Sequence, residues 1–76
     1  MRSVANHSVI ITGAASGLGA AAARMMAKNG AKVTLLDLDE VNGAKVAEEL
    51  KGQFIKTDIT SEEQVKAALI LVATLM

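Results

Sequence analysis

The 76-residue chain has no cysteine, proline, tryptophan or tyrosine, and Phe54 is its only aromatic residue. Without cysteine there is no disulfide framework and no thiolate metal site. The single histidine, His7, does not make a ligand set, and no metal is expected. The shortage of aromatics removes the stacking platforms used to bind single-stranded nucleic acid. An excess of one charge is also lacking, since eight Lys and Arg balance eight Asp and Glu. There is therefore no basic footprint for nucleic acid or an anionic membrane. Long apolar runs are missing too. "AALILVATLM", residues 67–76, is half the ~20 residues a membrane-spanning helix needs. "MRSVANHS" at the start lacks the apolar segment of a secretory signal, and Arg2 alone is too little for a mitochondrial presequence. The expectation is a cytoplasmic chain with neither nucleic acid nor membrane as partner.

The chain does have a globular composition, 51% hydrophobic and 21% charged. Its length fits one small domain. A chain of this size buries only roughly 60% of its unfolded surface, so its core is marginal. "SVIIT", residues 8–12, is a β-branched run that reads as a buried strand. Residues 18–29 read as a helix with Leu18, Ala22, Met25 and Met26 on one face and Arg24 and Lys28 on another, ended by Gly30. "KVTLLDL", residues 32–38, is a second strand, apolar enough to be buried on both faces. Residues 40–51 form a second helix through Val41, Ala44, Ala47 and Leu50; Gly43 weakens it and Gly52 stops it. "QFIKT", residues 53–57, is a third strand. Thr60 or Ser61 then caps a third helix, with Glu63 or Gln64 completing a capping box and Val65, Ala68, Leu69, Val72 and Met76 as its stripe. The alternation β-α-β-α-β-α implies an α/β fold with three parallel strands joined by right-handed crossovers.

Three glycines lie where the first strand gives way to the first helix, in "ITGAASGLGAAA", residues 11–22. The N–H groups of a first helical turn have no internal partner, and the helix dipole adds positive potential there. Such a terminus receives a phosphate or pyrophosphate, and glycines let it come close; Ala20 to Ala23 keep the helix slim where it packs on the sheet. Gly17, Gly19 and Ala22 also fit the generic spacing Gly-x-Gly-x-x-Gly/Ala, though a bare glycine-rich turn would match it as well. Asp37 ends the second strand, 18 residues after Gly19. An acid about 20 residues on is placed to take the adenosine ribose hydroxyls. Its alternative role is a solvated strand-end carboxylate or a helix cap. Asp39 and Glu40 suit the start of the next helix. No Arg or Lys neighbours Asp37 in sequence or lies within residues 13–19, which favours NAD over NADP. A nucleoside-triphosphate loop would need Gly-x-x-x-x-Gly-Lys, but Leu18 stands where its second glycine belongs. The spacing Thr12-Gly13-x-x-x-Gly17-x-Gly19 also argues against a methyltransferase.

"TGAASGLG" at 12–19, "LLDLD" at 35–39 and "KTDIT" at 56–60 together resemble the short-chain dehydrogenase/reductase family. The resemblance covers nearly the whole chain but only the N-terminal third of such an enzyme. It implies a partial Rossmann fold, with residues 1–76 as the first segment of a dinucleotide-binding Rossmann domain. It further implies that Gly13, Ser16, Gly17, Leu18 and Gly19 line the pyrophosphate and the nicotinamide-side ribose. Asp37 would hold the adenosine ribose, Asp58 the adenine amino group, and Ile59 the ring. The alternative for Asp58 is a turn residue before the Thr60 cap, and the two roles can coexist. The resemblance points to the branch acting on 3-hydroxyacyl-CoA or hydroxysteroid substrates, where a secondary alcohol is oxidised and a mitochondrial location becomes the alternative to a cytoplasmic one. The family's catalysis uses Tyr-x-x-x-Lys with a Ser and an Asn, and this chain has no Tyr. No catalytic residue is therefore expected in it. The pairs Glu48/Glu49 and Glu62/Glu63 do not substitute, since adjacent helical residues point apart. A non-catalytic nucleotide-binding or interaction fragment is the second reading. Without a fourth strand beside the first, "SVIIT" would be an open apolar edge, and self-association or a homo-oligomer is expected.

Overall fold

The computed structural model describes residues 7–75. Its elements are β1 (Ser8–Thr12), α1 (Gly17–Lys28), β2 (Lys32–Asp37), α2 (Glu40–Leu50), β3 (Gln53–Lys56) and α3 (Glu62–Leu75). The three strands are parallel, in the order β1-β2-β3. The expected βαβαβα arrangement is therefore present. Parallel neighbours need long crossovers, and the helices supply them.

β2 is the central strand, and its Val33, Thr34, Leu35 and Leu36 are all buried. Strand side chains alternate between faces, so the register builds two layers. Ile11, Leu35 and Phe54 form a row on one face. There they join Val33, Ala20, Ala23, Val46 and Ala47 in the main core, which α1 and α2 cover. On the other face Leu36 lies beside Ile55. α3 covers that side: Ala68 and Val72 are buried, and Ala68 and Leu71 share a cleft with Ile55. Full burial of Leu35 and Leu36 contributes about 1.5–3 kcal/mol each.

The faces of α1 and α2 differ only in part from those expected: the alanine run does pack on the sheet through Ala20 and Ala23, and Ala47 is buried as its stripe implied. α1 presents Ala20 and Ala23 to the sheet, with Met26 and Ala27 half-buried, while Leu18, Ala22 and Met25 are exposed. Small side chains let the helix approach the strands closely, and this outweighs the larger apolar area of Leu18 and Met25. α2 buries Gly43, Val46 and Ala47, with Leu50 half-buried; Val41 and Ala44 are exposed. Gly43 is not a weak point there, because a Cβ would overlap the Phe54 ring packed against it. Leu69, expected in the α3 stripe, is 46% exposed. Met76 and Arg2, which also entered the sequence reading, lie outside the described residues.

Turn chemistry fixes the ends. Gly30 adopts φ 92, and its N–H and that of Ala31 bond back to the Ala27 and Met26 carbonyls, closing α1. At the end of α2 it is Lys51, φ 57, rather than Gly52 that turns left-handed. Gly52 follows it where a Cβ would crowd the Val33 carbonyl oxygen. Among the described residues no helix is long and apolar enough to cross a membrane.

Candidate functional site

The parallel order sends the three strand ends to one edge of the sheet, where the helices begin. That edge is where open α/β sheets bind ligands. The first turn there runs from Gly13, φ 64, to Gly17, φ 61. Both angles lie in the left-handed region that glycine alone enters without strain. The Gly13 N–H donates to the Leu36 carbonyl (3.0 Å) and pins the base of the turn to β2. Gly19 has a different task, since a Cβ on it would overlap the Gly13 carbonyl oxygen. The first and third glycines of Thr-Gly-x-x-x-Gly-x-Gly thus pack on each other. The generic spacing ending at Ala22 has no such basis, because Ala22 is exposed.

The three helix N-termini are not treated alike. Asp39 caps α2, its Oδ1 accepting from the Asn42 N–H (3.0 Å). Ser61 caps α3, its Oγ accepting from the Gln64 N–H (3.3 Å). Gln64 reaches back to the Asp58 N–H (2.9 Å) rather than to the cap residue, a variant of the expected capping box. Thr60 is no cap, because its N–H and hydroxyl both donate to Asp58 Oδ1. At α1 the N-cap Ser16 makes no side-chain capping bond, and no acid lies in the first turn. The first N–H groups of α1 are therefore without a side-chain partner, and the positive end of its dipole is not offset by an acid in the first turn. Leu18, in that turn, is 90% exposed.

Asp37 stands beside this terminus, half-buried at the end of β2. Its Oδ2 accepts from the Ala15 N–H (3.0 Å) and its Oδ1 from the Asp39 N–H (2.9 Å). Its carbonyl accepts from the Thr57 N–H (3.0 Å), tying the end of β3 into the same corner. Asp58 and Ile59 follow directly. The Thr60 hydroxyl and N–H bonds hold the Asp58 carboxyl below its ordinary range, so it is an ionised acceptor at neutral pH. The turn role weighed for Asp58 is therefore real, and it uses one carboxylate oxygen. Ile59 is 51% exposed.

The glycine turn, Asp37 and the Asp58–Ile59 segment share one edge. Two participants were missed in the sequence. Thr57 is buried at 1% exposure, its hydroxyl donating to the Ile55 carbonyl (3.0 Å); a threonine closing an apolar strand was the available signal. Ala15 acts through its backbone, which no residue type announces. Asp37 is also not without a neighbouring cation. The register sets Lys56 directly beside Asp37, although they are distant in sequence. The Lys56 amine lies 3.8 Å from Glu40, both side chains being solvent-exposed.

A depression of about 420 Å³ opens at the opposite end, where the strands begin, with Ser8, Lys32, Thr34, Lys51, Gln53 and Val72 in its lining. It holds neither the glycine turn nor any helix N-terminus. Donor chemistry, not volume, marks the other edge as the candidate site. Among the described residues no group of three His, Cys, Asp or Glu could hold a metal ion.

Comparison with known proteins agrees with this architecture. The sequence profile described as short chain dehydrogenase matches residues 7–75. The chain is 48% identical over 68 residues to 3-hydroxyacyl-CoA dehydrogenase type-2 of Drosophila melanogaster, covering 87% of this chain and 27% of that protein. It is 47% identical over 62 residues to L-fucose dehydrogenase of Oryctolagus cuniculus, covering 80% and 22%. Among solved structures, 3-ketoacyl-(acyl-carrier-protein) reductase from Brucella melitensis, complexed with NADH, superposes with a TM-score of 0.90 at 35% identity, over 95% of this chain and 31% of that one. The chain thus spans about a quarter of the length of the curated relatives it matches. A family profile matched almost end to end, on a βαβαβα unit with its glycines where the fold requires them, places the chain in the short-chain dehydrogenase/reductase family.

Proposed function

We propose that this chain is the NAD(H)-binding segment, residues 1–76, of a dinucleotide-binding Rossmann domain. The observation that carries the reading is the α1 N-terminus, left without a side-chain cap while α2 and α3 are capped, beside the Asp37 carboxylate. The NADH complex of the 35% identical reductase supports it. Gly13, Ser16, Gly17, Leu18 and Gly19 would meet the pyrophosphate and the nicotinamide-side ribose. The absence of a Cβ at Gly13 and Gly17 gives the phosphate room, and the uncapped N–H groups supply the donors. Asp37 would accept the adenosine ribose hydroxyls, Asp58 the adenine amino group, and Ile59 would lie against the ring. The cofactor, when bound, supplies hydride transfer. This chain's residues bind and orient it.

NAD is preferred to NADP because a 2′-phosphate would meet the Asp37 carboxylate. Lys56, the cation beside that acid, lies toward Glu40 and offers little compensation. For the parent enzyme we propose oxidation of a secondary alcohol, of the 3-hydroxyacyl-CoA or hydroxysteroid type. Its support is the 48% identity to a 3-hydroxyacyl-CoA dehydrogenase. The 76-residue chain has no Tyr, so binding without turnover is proposed for it alone. Calorimetric titration with NADH and NADPH tests the assignment. NADH should bind more tightly, and Asp37→Ala should remove the preference, at about ten- to a hundredfold in NADH affinity. Equal affinity for the two cofactors in the unmutated chain would contradict it.

A further inference from the structure

We infer that Asp37 has a second task at the proposed cofactor site, that of setting the shape of the glycine turn before any ligand arrives. The inference rests on the dinucleotide reading and extends it. Between the left-handed Gly13 and Gly17 the backbone covers Ala14, Ala15 and Ser16, and Ala14 and Ala15 are buried. A turn between two such hinges has many conformations open to it. At its base the Gly13 N–H is held by the Leu36 carbonyl. In its middle the Ala15 N–H is held by Asp37 Oδ2, across 22 residues of sequence. A hydrogen bond to an ionised acceptor is the stronger kind, and a partly buried N–H without a partner is unfavourable.

The same carboxylate is itself held from two other sides. Its Oδ1 accepts from the Asp39 N–H, where α2 begins, and the Asp37 carbonyl accepts from Thr57 at the end of β3. Asp37 is thus fixed by two strands and a helix start, and passes that rigidity to the turn through one bond. A carboxylate has about four lone-pair sites, of which two are used here, so ribose hydroxyls can be accepted without releasing Ala15. Asp37 is accordingly a positioning residue for the pyrophosphate turn as well as a ribose ligand. Its replacement should weaken ligands that have no ribose hydroxyls.

The test uses ADP and 2′,3′-dideoxy-ADP, which differ only in those hydroxyls, with the full 76-residue chain and its Asp37→Ala and Asp37→Asn variants. Asp37→Ala should weaken dideoxy-ADP by about tenfold or more, since that ligand still needs an ordered turn. Asp37→Asn keeps one acceptor oxygen and should fall between. If Asp37→Ala binds dideoxy-ADP as the unmutated chain does while losing affinity for ADP, the positioning role is wrong and the ribose role stands. If neither ligand is affected, both are wrong. Backbone amide exchange in the unliganded, unmutated chain gives a check that needs no variant. The Ala15 amide should be protected along with those of Gly13 and Thr57. An Ala15 amide exchanging as fast as in an unstructured peptide, with the other two protected, would overturn the inference.

Discussion

At the scale of single residues, the account depends on where a Cβ has no room. Gly19 packs on the Gly13 carbonyl, and Gly13 is itself bonded to Leu36. Backbone on both sides leaves nothing that yields easily. Gly19→Ala should therefore lower stability by about 1–3 kcal/mol and abolish NADH binding, whereas Ala22→Ser, at an exposed position, should change stability by no more than about 0.5 kcal/mol. Thermal melts of the two variants separate the longer glycine motif from the generic one. Charge at this scale is a matter of acid lability. Hydrogen bonds from Arg24 hold Glu49 below the ordinary carboxylate range; bonds from Asn42 do so for Asp39, and bonds from Thr60 for Asp58. A carboxyl with a lowered folded pKa binds protons less readily folded than unfolded. Its stabilisation is present above the unfolded pKa of about 4 and is lost as pH falls through the folded value. The melting temperature should hold between pH 7 and 5 and decline below about pH 4. Glu49→Gln should flatten part of that decline, and an unchanged acid slope in this variant would show that the Arg24 pair contributes nothing.

At the scale of elements, α2 gives the sharpest test. Alanine is favoured over glycine inside a helix by about 1 kcal/mol. Propensity alone would have Gly43→Ala stabilise the chain, but the Phe54 ring occupies the space. Gly43→Ala should lower the melting temperature, and the loss should shrink in a Phe54→Leu background. A rise in melting temperature for the single variant would show that the ring moves freely. The same position shows what the sequence could and could not disclose. Element order, strand positions and the glycine turn were legible because β-branched runs, capping residues and glycine spacing are local signals. The helix faces were legible only in part, through the alanine run of α1 and Ala47 of α2. Leu18, Met25 and Val41 dominate any hydrophobic count yet are exposed, while Gly43 and Val46 are buried beside the expected Ala20, Ala23 and Ala47, because a helix lying close on a sheet selects small residues. Pairings across the chain were hidden: Arg24 with Glu49 at 2.7 Å, Lys56 beside Asp37, and the Ala15 amide on Asp37. Each is set by register and crossover geometry, which residue type does not encode. Asp37 and Asp58 are legible as acids, and Asp58 also as a turn residue before Thr60, whereas the Ala15 and Asp39 amides that hold Asp37 have no local signal.

At the scale of the whole molecule, surface and size set the behaviour. Among the described residues β1 pairs on one side only, with β2, and its Ser8, Ile10 and Thr12, on the sheet face that carries Leu36, are exposed. Leu69, Ile70 and Leu71 add an apolar surface on α3. Open edges and apolar patches favour association. Sedimentation of the 76-residue chain should therefore show a mass that rises with concentration. A concentration-independent monomer mass with a cooperative melt would contradict this. The central claim is that ligand chemistry lies at the glycine-turn edge of the sheet and not in the depression at the other end. Backbone amide shifts of the 76-residue chain, recorded as NADH is added, test it most directly. The expected changes cluster at Gly13 to Gly19, Asp37, Asp58 and Ile59. Changes centred on Ser8, Lys32 and Gln53, or none at the glycine turn, would contradict the account.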